Sequence, residues 1–188
     1  MVATGPELWR PIHADMDKKS LESSIGPMLV AVGFKKKAST WYRETEGSLQ
    51  VVDLQKSAYG LQFYLNLCCV PKGMYVEGMP TPKEHKCPIR VRLADVYPER
   101  GTQVGDVFDL ERAGVSDVQR REQLNEIINK LVLPFFERTA SAHALRDAIR
   151  QGLFKRGAVS LATKMHLGIA DCSLPPAFGS EPPPTTHG

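Results

Sequence analysis

The sequence predicts an α+β fold: one N-terminal helix, an antiparallel β-meander of four or five strands, and C-terminal helices packed on the sheet. Three observations lead there. Between Phe34 and Val70, three runs rich in Val, Thr, Tyr, Trp and Phe are broken by Glu46-Gly47-Ser48 and by Ser57-Ala58-Tyr59-Gly60, and short Gly-bearing breaks between such runs are hairpin signals. The third run alternates, with Leu61, Phe63, Leu65, Leu67 and Cys69 on one side and Gln62, Tyr64, Asn66 and Cys68 on the other, because successive strand side chains point opposite ways. After Ser116 the apolar residues recur at helical spacing, and a stripe of that width covers one face of a sheet.

Taken in order, residues 1–17 carry Gly5, Pro6 and Pro11 without periodicity. They read as an extended arm held by Leu8, Trp9 and Ile12, or as a loose terminus. Residues 18–170 form a single domain. From Lys18 to Val32, Leu21, Ile25, Met28, Leu29 and Val32 recur at helical spacing and Gly33 stands where a left-handed cap closes the helix. Pro27 conflicts with this, because an interior proline lacks the N–H and clashes with the preceding turn. Either the helix kinks there or Pro27 starts a second segment. Lys35, Lys36 and Lys37 follow Phe34, as an anion-binding patch or, more simply, as a solvated edge that resists edge-to-edge pairing.

In the second run of the meander, Leu49, Val51, Asp53 and Gln55 share one side and Val52 and Leu54 the other, so its middle is expected to be covered on both faces. Pro71 to Pro88 is a long irregular connection. A fourth strand follows, in which Ile89, Val91 and Leu93 alternate with Arg90 and Arg92. Val104 to Leu110 reads as a fifth strand or an edge. Ser116 with Gln119 makes a capping-box pattern, and Val118, Leu124, Ile127, Ile128, Leu131 and Phe135 form the apolar stripe. Pro134 bends or ends that helix. Ser141 caps a second helix with Leu145, Ala148 and Ile149 facing in, and a third follows Gly157 with Val159, Ala162 and Met165 facing in. Residues 171–188 hold five prolines and few apolar side chains and are expected to be a disordered tail.

A chain of 188 residues buries about 70% of its unfolded surface, enough for a core without metals or disulfides. Its net charge of +3 is too mild to point to nucleic acid. The four cysteines, Cys68, Cys69, Cys87 and Cys172, show no CxxC pairing. They read as reduced thiols of a cytoplasmic protein. No apolar run reaches the ~18 residues of a membrane span, so no membrane association is expected.

The chemistry-bearing residues gather on the polar side of the sheet. Asp53 and Gln55 from the second strand, Tyr64 and Asn66 from the third, and Arg90 and Arg92 from the fourth are placed to converge. Either Asp53 pairs with an arginine on a merely solvated face, or the face is a recognition surface, for which Arg and Tyr are the best anchors. Asp53 with Lys56 resembles a nuclease pair, but the spacing puts Lys56 opposite Asp53. His85 and Cys87 with Cys68 or Cys69 fit no strong zinc pattern. The histidines join no Ser or Cys nucleophile, and no Gly-rich phosphate loop occurs. No catalytic residue, metal or cofactor is therefore assigned.

The blocks GFKKKASTWYRE (Gly33–Glu44), LQVVDLQKS (Leu49–Ser57) and FYLNL (Phe63–Leu67) resemble a bacterial family known as a domain of unknown function, number 4304. The resemblance runs from roughly residue 19 to residue 135. It rests on Gly33, Phe34, Tyr42, Arg43, Gln55, Lys56, Ser57, Asn66 and Leu67, and departs from the family at Cys68-Cys69. It implies the helix–meander order, adds Arg43 and Lys56 to the binding candidates, and brings no assigned reaction. A helix–meander–helix order also resembles small immunity proteins that neutralise bacterial toxins by binding them. The expectation is thus a non-catalytic protein-binding module of the immunity or antitoxin kind. The alternatives are an enzyme using Asp53, Lys56 and His85, or a nucleic-acid or nucleotide binder using Lys35–Lys37 with Trp41 and Tyr42 as stacking platforms.

Overall fold

In the computed structural model, residues 16–74, 82–112 and 114–169 are described. The expected N-terminal arm lies almost wholly outside them, as do the tail and the middle of the connection after Pro71. The sheet has six strands in the order β1 (Lys35–Lys37), β2 (Thr40–Glu44), β3 (Ser48–Lys56), β4 (Phe63–Pro71), β5 (Ile89–Arg92) and β6 (Ala158–Val159), every neighbouring pair antiparallel. The α+β meander is as expected, with one or two strands more. The additions are the lysine run, folded back by a tight turn through Ala38 at φ 54°, and the two-residue β6 on the edge of β5.

Helix α1 (Lys18–Ala31) is capped by Asp17, whose carboxylate accepts from the Ser20 N–H at 2.7 Å. It runs unbroken through Pro27, which points to solvent, while Gly26 lets the buried Trp41 ring lie against the backbone. Residues 93–96 form the short helix α2, and α3 spans Gly101–Phe108. Here the structure corrects the sequence reading. Val104, Val107 and Phe108, three and four apart, are all buried, which is the helical rather than the strand period.

The long C-terminal helix starts at α4 (Asp117–Ile127) with the expected Ser116–Gln119 capping box. It passes through a π-helical segment, Ile128–Val132, into α5 (Leu133–Glu137). The Leu133 N–H reaches back five residues to the Ile128 carbonyl. This wider turn sits just ahead of Pro134 and lets the helix continue past it. Val118, expected in the apolar stripe, is exposed, whereas Leu124, Ile127, Ile128, Leu131, Phe135 and Phe136 are buried. Helices α6 (Ala142–Arg150) and α7 (Leu161–His166) follow. In α7 the inward residue is Thr163; Ala162 and Met165 face out.

Helices α1 to α6 contribute to one apolar cluster on the inner face of the sheet, with Trp41, Val52, Leu54, Phe63, Leu65, Leu67, Ile89 and Val91, and Leu167 joins it just after α7. Inside it Gln50, fully buried, accepts from Arg43 Nε at 2.9 Å and Nη2 at 2.7 Å and donates to the Phe136 carbonyl at 2.8 Å. Polar atoms so buried are normally paired, and this network fastens α5 to the sheet. A second, smaller cluster lies on the outer face, where Leu49, Val51, Cys68 and Val70 are covered by Cys87, Met74 and Tyr42. The middle of β3 is thus covered on both sides, as its sequence demands.

Candidate binding cleft on the outer sheet face

Cross-strand register settles which candidates meet. Asp53 pairs with Asn66 and Asn66 with Arg92; Gln55 pairs with Tyr64; Cys68 pairs with Arg90. Since directly paired residues share a face, Asp53, Gln55, Tyr64, Asn66, Arg90 and Arg92 all stand on the outer face. They occupy the half that the small apolar cluster leaves open.

Arg43 and Lys56 do not join them. Arg43 pairs with Gln50 on the inner face, donates to the Val32 carbonyl at 2.9 Å and lies 4.7 Å over the Phe34 ring. Burial pulls its pKa down, partly offset by nearby Glu137. Its work is structural. Lys56, beside Leu54 and Gln55, pairs with Phe63 on the inner-face side and is exposed. Trp41, a candidate stacking platform, is fully buried and has no face left for a base.

The open half is a cleft of about 450 Å³ between β4, β5, the short turn Glu84–Lys86 and the segment leading into β6. Three guanidinium groups line it, from Arg90, Arg92 and Arg156, together with Gln55, Asn66 and His85. Arg90 is steadied by the His85 carbonyl at 2.9 Å, and Arg92 lies 4.3 Å over the Tyr64 ring, a cation–π contact. Asn66, nearly buried, donates to Gln55 Oε1 at 2.9 Å. Glu84 and Asp95 also line the cleft. Even so, among the described residues none of the three guanidinium groups forms a salt bridge. Asp53 is held instead by the Thr40 hydroxyl, and is not part of the cleft wall.

Arg156 was not a sequence candidate. It sits in turns between α6 and β6 and reaches the cleft only because β6 pairs with β5, a contact between residues far apart in the chain. His85 entered the sequence reading as a metal or catalytic suspect rather than as part of this cleft. Among the described residues no three of His, Cys, Asp and Glu gather as a metal-holding group. Cys68 and Cys87 meet on the outer face, and their mutual contact and burial push the Cys68 thiol well up. Cys69 faces inward, where burial pushes it up to about 12. Thiols shifted in that direction are poor nucleophiles at neutral pH.

A family model described as Domain of unknown function (DUF4304) matches residues 25–138. The chain belongs to this family. The matched span runs from α1 to the end of α5 and includes β1–β5, so the DUF4304 region carries most of the cleft, while β6 and Arg156 lie beyond the match. No curated protein and no solved structure matches the chain. Among the described residues, no helix of this DUF4304 protein is long and apolar enough to cross a membrane.

Proposed function

We propose that the protein is a non-catalytic cytoplasmic binding module of the immunity or antitoxin kind, which would neutralise a bacterial toxin by docking an acidic surface of it on the open half of the outer sheet face. The observation that carries this reading is the convergence of Arg90, Arg92 and Arg156 on one cleft without a salt-bridge partner among the described residues. Guanidinium groups bind carboxylates in a two-pronged geometry, and Arg and Tyr are the side chains that most often dominate an interface. Two of the three stand on β5, whose other face is packed into the core through Ile89 and Val91, so they are held in place before a partner arrives, which lowers the ordering cost of binding.

Affinity capture with the full chain as bait, against proteins encoded beside it, tests the proposal. A partner held at micromolar strength is expected, with Arg90→Glu or Arg92→Glu weakening capture by at least about tenfold while the melting temperature stays within about 2 °C of the parent. Capturing nothing, or equal capture by the charge-reversed variants, refutes it. A DNA or RNA shift that weakens steeply with salt and is lost on mutation of Lys35–Lys37 would favour the nucleic-acid reading instead.

A further inference from the structure

Beside the arginine cleft, and sharing Arg92 with it, lies a second hollow of different chemistry. It measures about 190 Å³ and is walled by Phe63, Leu65, Leu93, Val104 and Phe108, with Tyr64 and Arg92 at the rim. Its floor on the α3 side is Gly105. A Cβ added there would meet nothing within 4 Å, so open space lies beside this helix position. Glycine inside a helix is otherwise a liability, and no positive φ calls for it here. A cavity of about 150 Å³ suffices for a benzene ring, so this one accommodates a leucine- or phenylalanine-sized group.

The two hollows differ in what they select. Setting His85 aside, the cleft sets three guanidinium cations against two carboxylates, Glu84 and Asp95, which leaves a surplus of one positive charge. That balance suits one carboxylate. It suits a polyphosphate or a nucleic-acid backbone poorly, because each further negative charge meets Glu84 and Asp95. The neighbouring hollow offers a phosphodiester chain nothing and offers an apolar side chain a dry seat. Arg92, stacked on Tyr64 at 4.3 Å, stands between them and borders both.

We infer that the docking partner is recognised through two neighbouring side chains, an aspartate or glutamate received by Arg90, Arg92 and Arg156, and a large apolar residue seated over Gly105. This rests on the reading that the face docks a protein and names the chemistry it selects. Phe63, Leu65 and Phe108 wall the apolar seat and belong to the core, so the seat is formed in advance.

Capped peptides acetyl-Gly-Asp-Leu-Gly-amide, with zero to three glycines inserted between Asp and Leu, are titrated into the nitrogen-15-labelled full chain and followed by amide NMR. One spacing is expected to shift the Arg92 and Gly105 amides together, with a dissociation constant of about 1 mM or tighter. Changing its Asp to Asn, or its Leu to Ser, is expected to weaken it by about tenfold each. In the protein, Gly105→Leu removes the leucine contribution while the Arg92 shift persists. The Gly105→Leu chain is expected to keep the parent's melting temperature within about 2 °C and its amide pattern away from α3, so loss through misfolding is told apart. Binding indifferent to Asp→Asn, shifts that never include Gly105, or tighter binding of inorganic phosphate or an oligonucleotide overturns the inference. If no peptide binds yet Arg92→Glu still abolishes partner capture, this inference falls and the docking reading stands.

Discussion

Replacing Arg120 by Met removes a charged cap from the helix that walls the apolar seat. Arg120 is only 2% exposed, and its Nη1 donates to the carbonyls of Asp106 (3.0 Å), Val107 (2.6 Å) and Asp109 (2.9 Å). These are the free carbonyls at the C-terminal end of α3, the end where a cation is favoured. A hydrogen bond to a charged group contributes about 1.5–3 kcal/mol net. One nitrogen carries two hydrogens for three acceptors, so roughly two full bonds are made. Dehydrating the guanidinium offsets part of this, as the burial-driven fall in its pKa indicates, against which Asp117 and Asp109 act only in part. Arg120→Met keeps the aliphatic stem and is expected to cost about 3 kcal/mol, or roughly 6–12 °C for a chain of this size. Arg120→Lys, with a shorter reach and no fork, recovers less than half of that. Urea melts followed by far-UV circular dichroism measure both. A Met variant as stable as the parent would mean that the buried charge costs as much as its bonds return, and would refute the capping account.

Gly157→Ala tests the attachment of β6. An added Cβ there would collide with the Arg90 carbonyl oxygen and come within 2.8 Å of Val91 Cβ, so β6 must move off β5 at a cost of about 1–3 kcal/mol. Arg156 moves with it, so partner capture falls too; an unchanged urea midpoint would show that β6 is not held tightly against β5. Glu22 links α1 to the lysine strand, accepting from Lys36 Nζ at 2.8 Å and the Ser39 hydroxyl at 2.7 Å. Burial alone would raise its pKa, but these two bonds and the charges of Lys36 and Lys18 prevail and hold it below the ordinary 4.5. A carboxyl lowered in the folded state contributes stability above its unfolded pKa and loses it as pH falls through the folded value. The melting-temperature gap between the parent and Glu22→Gln is therefore expected at neutral pH and closes as the pH falls from the ordinary 4.5 through the lower folded value. A gap that widens on acidification would reverse the sign and defeat the assignment.

The parts of this protein that could be read from its sequence are those written in local periodicity. Alternation in Leu61–Cys69 located the inner face, and the split side chains of β3 announced that its middle is covered twice. The Ser116–Gln119 box marked the start of α4. Parity placed Asp53, Gln55, Tyr64, Asn66, Arg90 and Arg92 on one face, and the same rule sends Lys56 to the other. What escaped depends on distant pairings or on turns that break the period. Val104 to Leu110 reads as a fifth strand or an edge, although Val104, Val107 and Phe108 carry helical spacing and lie in α3. The π segment admits Pro134, which alone reads as a helix end. Arg43 and Arg120 show no local sign that their charges are turned inward, because Gln50 and the carbonyls that receive them come from elsewhere in the fold. Arg156 was invisible for the same reason, since only the pairing of Ile89 with Val159 and of Arg90 with Ala158 carries it to the cleft.

The uneven covering of the outer face also decides where the sheet comes apart first. Amides around Val51 and Cys68, sealed between two apolar clusters, exchange with deuterium only when the whole protein opens, whereas those near Gln55 and Tyr64 exchange through local fraying. Arg92 reaches that fraying end by its contact with Tyr64, whereas Arg90 stands opposite Cys68. A bound partner therefore acts as a clamp on the least secure stretch of the molecule, and slows deuterium uptake there more than anywhere else.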